Sequence, residues 1–178
     1  MSHANQREFI RSVKKRFPDH FNNTTVFDVG SLNINGCNRQ FFTGAQYLGI
    51  DVGEGEGVDL VCPAEDFLDV FAGNPYDVAI STECFEHNPK WKEAFDAMIA
   101  VTKPGGLVIM TCAAPGRKEH GTSRRTPWAS PLQVKGGWDY YHNIGKEEFL
   151  GKWDFDAIFD PWYCGEAQTD LRFWGVKK

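Results

Sequence analysis

The stretch Thr25-Val26-Phe27-Asp28-Val29-Gly30-Ser31-Leu32-Asn33-Ile34-Asn35-Gly36 constrains this chain more than any other. Its first half is β-branched and aromatic; its second half is punctuated by Gly and Asn. Such a pattern reads as a buried strand entering a tight turn and then a helix. About one βα unit later a second apolar run, Tyr47-Leu48-Gly49-Ile50-Asp51, ends on a carboxylate. Glycine lets backbone approach a ligand closely, and an acid at the end of the next strand can grip a ribose diol. Together they point to an α/β nucleotide pocket.

The alternation continues along the chain. Strands are expected at 25–30, 46–51, 58–62, 76–82 and 107–112, with short helices near 36–43 and 64–71 between them. Residues 5–17 put Phe9, Ile10, Val13 and Phe17 on one face of a helix ended by Pro18, which is expected to cover the sheet edge. Asn88 reads as an N-cap and Pro89 as the first position of the best-formed helix, which runs to Lys103-Pro104-Gly105-Gly106. After an irregular segment, 145–152 looks helical, and 155–163 and 170–176 read as a closing antiparallel pair. Strands alternating with helices require right-handed crossovers. The expected fold is Rossmann-like α/β, a seven-stranded mostly parallel sheet with helices on both faces and a C-terminal antiparallel strand pair. Its 178 residues are expected to form a single domain, 1–178, with a cofactor-binding core over 24–113 and an acceptor-site segment over 114–143.

A net charge of -5 argues against a strongly basic nucleic-acid binder. No apolar run approaches the ~20 residues of a membrane span, and the polar first residues lack a signal-peptide core. The five cysteines are widely spaced without a CxxC, so they are read as packing thiols in a reducing cytoplasm. No metal site is expected.

In an open parallel sheet, ligands bind beyond the carboxyl ends of the strands, where the strand order reverses. Those ends carry Asp28 and Gly30, Asp51, Pro63-Ala64-Glu65-Asp66, and Ser81-Thr82-Glu83-Cys84-Phe85-Glu86-His87. The order Asp28-Val29-Gly30, Asp51, Ala64-Glu65-Asp66, Tyr76-Asp77-Val78, Glu86-His87, Lys103-Pro104-Gly105-Gly106 resembles a class I S-adenosylmethionine-dependent methyltransferase. It is most similar to the small-molecule type 11 branch, over roughly residues 24–113.

The resemblance implies S-adenosyl-L-methionine as cofactor and S-adenosyl-L-homocysteine as product. Gly30 and the turn that includes Ser31 and Gly36 would meet the methionine portion, and Asp28 would hold that turn or the amino group. Asp51 would take both ribose hydroxyls, and Ala64 and Glu65 the adenine. Ser81, Thr82 and Glu83 would face the methionine ammonium. Two positions depart from the family's pattern. Leu32-Asn33-Ile34-Asn35 stands where glycine is usual, and Pro63 replaces an adenine-contacting aspartate. Read without the resemblance, Asp28 could cap the turn, Asp51 could be a solvated strand end, and His87 could be a helix-entry residue.

A general base is needed only where the acceptor loses a proton on attack. Glu83, His87, His120 and His142 are the candidates, and no spacing selects among them. Arg117, Lys118, Arg124, Arg125 and Lys135 against Glu119 make the segment after the fifth strand basic within an acidic chain. With Trp128, Trp138, Tyr140 and Tyr141 this favours a small acceptor, anionic or sugar-linked, held by Arg124, Arg125, Trp128 and Tyr140. The bland reading is a solvated loop whose aromatics fold onto the sheet. Nucleic acid is disfavoured, because no Asp/Asn-Pro-Pro-Tyr motif follows the fourth strand and Asp160-Pro161-Trp162-Tyr163 comes too late. An RNA methyltransferase that uses this basic loop on a small RNA stays open, and so do two other readings. A nicotinamide oxidoreductase would want GxGxxG, which Gly30 to Gly36 does not provide. A methyltransferase-like module without catalysis would share every feature of the core. Oligomeric state is not legible.

Overall fold

The computed structural model describes residues 4–132 and 138–178, so the Lys135 reading lies outside the described residues. Helix α1 (Ala4–Arg16) is followed by β1 (Thr25–Val29), β2 (Gln46–Asp51), β3 (Leu60–Val61) and the short α2 (Phe67–Val70). Next come β4 (Tyr76–Thr82), α3 (Trp91–Val101) and β5 (Thr102–Ala113), then α4 (Lys146–Leu150), α5 (Phe155–Ile158), β6 (Phe159–Ala167) and β7 (Asp170–Lys177). The seven strands form one sheet in the order β3-β2-β1-β4-β5-β7-β6. Strands β3 to β5 pair in parallel, and β7 inserts antiparallel between β5 and β6. A dinucleotide-binding sheet would continue with a parallel sixth strand, so this insertion sets the fold apart.

Alternation along each central strand sorts the core into two layers, because successive side chains leave opposite faces of a sheet. Val26, Val78, Ile80, Leu107 and Ile109 face one side, where Phe9, Ile10 and Val13 of α1 cover them. Phe27, Ala79, Val108 and Met110 face the other, under Trp91, Phe95 and Met98 of α3 and the rings of Phe149, Phe155 and Phe173. Helix α1 therefore covers a sheet face, where an edge cover was expected. Its apolar stripe is matched to three central strands, which bury more of it than an edge could.

Four local expectations shift for identifiable reasons. The helix expected near 36–43 is only a 3-10 turn, Asn38–Phe41, because Asn33 Oδ1 accepts the Gly36 N–H (2.9 Å) and holds the chain in an Asx-type turn. The third strand shrinks to two residues, its approach taken up by Asp59, whose carboxylate accepts the Gly49 N–H (2.6 Å). Helix α3 starts at Trp91, since the Asn88 side chain accepts from the Lys90 N–H (2.7 Å) and Phe85–His87 forms a separate 3-10 turn. The first part of the expected strand 155–163 is a helical turn capped by Asp154, which accepts from the Ala157 N–H (3.0 Å). Lys103 to Gly106 is a bulge within β5, between the Tyr76–Thr102 and Val78–Leu107 pairings. Among the described residues no helix is long and apolar enough to cross a membrane.

Candidate active site

The strand order reverses between β1 and β4, and a cleft opens beyond their carboxyl ends. Val29, Gly30, Leu32, Ile50, Asp51, Ala64, Cys84 and His87 line its base. Ala129 to Leu132 and Trp138 close it from the segment after β5.

The β1 turn is packed tightly enough to dictate its residues. Gly30 has φ +76°, and a Cβ there would fall 2.5 Å from the Cβ of Cys84. The loop 53–57 lies directly against this turn. Asn33 donates its backbone N–H to the Glu56 carbonyl (2.8 Å), and its side-chain amide donates to the Glu56 carboxylate (2.6 Å). Gly57, at φ +89°, admits the Ser31 carbonyl where a Cβ would stand 2.6 Å away. The width that Leu32-Asn33-Ile34-Asn35 adds to the turn is thus taken up by a glycine-rich neighbour, and Leu32 and Ile34 give the cleft apolar walls.

Asp51 ends β2 at the cleft wall. Its two oxygens accept from Leu32 N–H (3.1 Å) and Val52 N–H (2.8 Å), which leaves further lone pairs on each oxygen. Burial raises its pKa, partly offset by those two amides. Asp28 lies beneath the cleft. It accepts from the Tyr47 hydroxyl (2.6 Å) and the Asn38 amide (3.2 Å), and burial pushes its pKa up to about 7. Asn38 also donates to Thr82 Oγ1 (3.1 Å), so Asp28, Thr82 and Asn38 tie β1 and β4 to the 3-10 turn.

The structure brings Gly30, Asp51, Ala64, Glu83 and His87 to the cleft and leaves other sequence candidates outside its lining. Ser81 is buried and donates to the Val29 carbonyl (2.9 Å). Ser31 is buried at the turn, and Gly36 lies past it, facing Arg7 and Gln40. Glu65 turns to Asn88, which donates to it at 3.2 Å.

Glu83 has φ +54°, an uncommon left-handed conformation for a residue with a side chain. Its carboxylate is held from two sides. Gln6 of α1 donates to one oxygen, and Arg117 Nη2 donates to the other at 3.0 Å. Arg117 Nη1 also donates to the buried Asp170 at 2.5 Å. Burial works against the Arg117 charge, yet the carboxylates of Glu83 and Asp170 outweigh it and raise its pKa.

His87 and His120 meet edge to face, ring centroids 5.1 Å apart, and Tyr141 packs on both. Burial lowers the pKa of each, that of His87 to about 3 with the neighbouring His120 adding to the shift. Beside them Glu86 is fully buried, and burial followed by the charge of Glu83 pushes its pKa well up. His142 points elsewhere and pairs with Glu148 (2.9 Å).

A second cavity is lined by Gly116, Arg117, Lys118, His120, Arg125 and Thr126. Arg125 is therefore available there. Arg124 instead pairs with Glu119 (2.7 Å) and with Asp139 (2.8 Å), an acid that counting charge against Glu119 alone leaves out. Trp128 is 70% exposed and lines neither cavity. Tyr140 contributes backbone, in a hydrogen bond with the His87 ring.

Sequence reading missed Gln6 and the Arg117–Asp170 pair. Gln6 carried a signal, since it sits one turn before Phe9 and Ile10 on the buried face of α1. Arg117 and Asp170 are 53 residues apart, and no local pattern joins them.

Comparison with known proteins bears on this geometry. A family model described as a methyltransferase domain matches residues 1–146. No curated protein sequence matches the chain. Among solved structures, the chain is similar to N-methyltransferase NodS from Bradyrhizobium japonicum WM9, in complex with S-adenosyl-L-homocysteine. That likeness has a TM-score of 0.62 at 11% identity, over 99% of this chain and 89% of that one. It is also similar to Haemonchus contortus phosphoethanolamine N-methyltransferase 2 in complex with S-adenosyl-L-methionine, with a TM-score of 0.61 at 16% identity. There 94% of this chain is covered but only 51% of the other, so this chain spans about half that protein's length. A third is Burkholderia thailandensis 1,6-didemethyltoxoflavin-N1-methyltransferase, with a TM-score of 0.58 at 12% identity, over 100% of this chain and 92% of that one. The family match and the antiparallel β7 inserted beside β5 agree, and the chain belongs to the methyltransferase domain family, with the class I Rossmann-like fold.

Proposed function

We propose that this chain binds S-adenosyl-L-methionine in the cleft between β1 and β4 and methylates a small acceptor that enters through the second cavity. The observation that carries this reading is Asp51. Its carboxylate stands at the cleft wall with lone pairs to spare, one βα unit after a glycine turn pressed against Cys84. When bound, the cofactor supplies a methyl group already activated on a sulfonium. The chain's own task is to hold two reactants in line, an effect worth up to ~7–11 kcal/mol in well-oriented systems.

On this reading Asp51 takes the ribose hydroxyls, and the turn from Gly30 meets the methionine portion. Ala64 with the apolar walls of Ile50, Leu32 and Cys62 covers the adenine, which suits the absence of an aspartate at Pro63. Glu83 faces the amino group, its carboxylate fixed by Gln6 and Arg117. Asp28, Ser31, Gly36, Ser81 and Thr82 act from beneath or beside the cleft by holding the turn. The segment over Ala129 to Leu132 and Trp138 shields the reacting centre from water.

The acceptor would lie between His87, His120 and Tyr141, with Arg125 and Lys118 taking an anionic group. All five cysteines are free thiols, which fits a reducing cytoplasm. The names of the similar N-methyltransferases make a nitrogen acceptor the first class to screen. Calorimetric titration with S-adenosylmethionine, S-adenosylhomocysteine and NAD tests the core of the proposal. Micromolar binding of S-adenosylhomocysteine is expected; binding of NAD alone would overturn it. Cofactor binding without methyl transfer to any small molecule or RNA in a labelled-methyl screen would favour a binding module.

A further inference from the structure

Glu86 sits in the turn directly after β4 and is 0% exposed. Apart from a contact with its own backbone N–H, neither of its carboxylate oxygens has a hydrogen-bond partner among the described residues. Leaving a carboxylate bare in the interior costs several kcal/mol, so this group calls for a physical account. The next residue, His87, is also buried, and its Nδ1 has no hydrogen-bond partner among the described residues. His120 arrives from the segment after β5. Its Nδ1 lies 3.1 Å from the Lys118 carbonyl, which puts the proton on Nδ1 and leaves the Nε2 lone pair 3.9 Å from Glu86 Oε1. One ligand atom from each of the three residues lies within 4.8 Å of the other two.

We propose that Glu86, His87 and His120 form a binding site for a divalent first-row transition ion of the zinc class.

The donor chemistry carries the choice of ion. Two imidazoles and one carboxylate are a ligand set for zinc, with metal–ligand bonds of about 2.0–2.2 Å and a fourth position left open. The nitrogens disfavour magnesium and calcium, which want oxygen. Tetrahedral donors at such bond lengths stand roughly 3.3 Å apart, so small side-chain rotations close the present spacing. The surroundings also match. A metal-bound histidine ordinarily has its other ring nitrogen hydrogen-bonded to a carbonyl or carboxylate. Here the Lys118 carbonyl meets His120, and the backbone of Tyr140 meets His87. Gly121 brings the loop close, since a Cβ there would fall 2.7 Å from His87 Cε1. Glu83 also comes within 4.0 Å of His120 Nε2, but its oxygens already accept from Gln6 and Arg117, so Glu86 is the carboxylate assigned to the ion.

His87 lines the cleft between β1 and β4, and His120 lines the second cavity. The open coordination position therefore faces the place where the acceptor enters. In this the inference rests on the methyl-transfer reading, and it adds that the acceptor presents a metal-coordinating oxygen or nitrogen. Binding of the ion itself does not depend on that reading.

Titration of the chelator-treated protein with Co²⁺, followed by its visible absorption, tests the site; Zn²⁺ added afterwards should displace the signal. The expected result is a single tight site whose affinity falls at least about tenfold in Glu86→Gln and in His120→Ala. His142→Ala, a surface histidine paired with Glu148, should leave it unchanged. Circular dichroism shows that each variant is folded, and S-adenosylhomocysteine titration reads the cofactor site separately. Absence of a Co²⁺ spectrum in folded protein, a spectrum that survives both cluster substitutions, or tight binding of Mg²⁺ in place of Co²⁺ would each overturn the proposal.

Discussion

A Cβ placed on Gly30 would stand 2.5 Å from the Cβ of Cys84, so the β1 turn and the end of β4 touch backbone to side chain. Gly30 also has φ +76°, which a residue with a side chain adopts only at a cost. Gly30→Ala is expected to lose about 2–4 kcal/mol of stability, combining left-handed strain with overpacking. Urea denaturation would measure the loss, and calorimetry should show weaker S-adenosylhomocysteine binding. A variant of unchanged stability and affinity would mean that the two strand ends are free to part.

Asp51→Asn keeps the shape of the side chain but removes its charge and one of its two acceptor oxygens. Hydrogen bonds to a charged group contribute about 1.5–3 kcal/mol each, so the affinity for S-adenosylhomocysteine should fall by about tenfold or more. The amides of Leu32 and Val52 lose part of their support as well, but the sheet should stay folded. Isothermal titration checks the affinity and circular dichroism the fold. Equal affinity for both proteins would remove the ribose role from Asp51.

Arg117 bridges two buried carboxylates, Glu83 and Asp170. Removing one partner of a buried ion pair leaves an uncompensated charge, at a cost of about 3–5 kcal/mol. Arg117→Met should therefore be destabilised on that scale, and Arg117→Met combined with Asp170→Asn should recover part of the loss. Denaturation midpoints of the two variants decide the matter. No recovery in the double variant would show that Asp170 is not the charge being balanced.

Stability should depend on pH through Asp28. Its folded pKa, about 7, lies above its unfolded value near 3.8, so the folded state binds the proton more tightly. The contribution is fully present below pH 3.8 and is lost as pH rises through 7, so this group makes the protein less stable across that window. Asp28→Asn should flatten the slope between those limits while keeping an acceptor for Tyr47. Melting temperatures across the window provide the check, and parallel profiles for the two proteins would contradict it.

Arg124 and Arg125 are neighbours with different fates. The guanidinium of Arg124 is already engaged by Glu119 and Asp139, whereas Arg125 lines the second cavity. Once a labelled-methyl screen supplies an anionic acceptor, Arg125→Ala should raise its KM by about tenfold, in line with a charge-assisted hydrogen bond. Arg124→Ala should change it less, and neither should move the affinity for S-adenosylhomocysteine. A larger effect from Arg124 would place the anion outside the cavity.

Strand order along the chain, the turn at Gly30, the carboxylate of Asp51 and the apolar stripe of α1 were all legible from sequence, because each depends on short-range periodicity or on a residue's own backbone preference. The closing antiparallel pair was legible too, though its first residues, Phe155–Ile158, turned helical around the Asp154 cap. Local pattern also suggested a cleft beyond β1, β2 and β4. It could not decide which candidates face that cleft. Asp28, Ser81 and Thr82 end among hydrogen bonds beneath it, and Arg124 is neutralised by an acid 15 residues away. The Gln6–Glu83–Arg117–Asp170 chain and the Glu86–His87–His120 cluster join residues from α1, the β4 turn, the segment after β5 and β7. Such contacts are set by how the sheet stacks its strands and where the loops fold back. Only the tertiary structure carries that information: Glu83, Glu86 and His87 share one turn, but nothing local brings Gln6, Arg117, His120 or Asp170 to it.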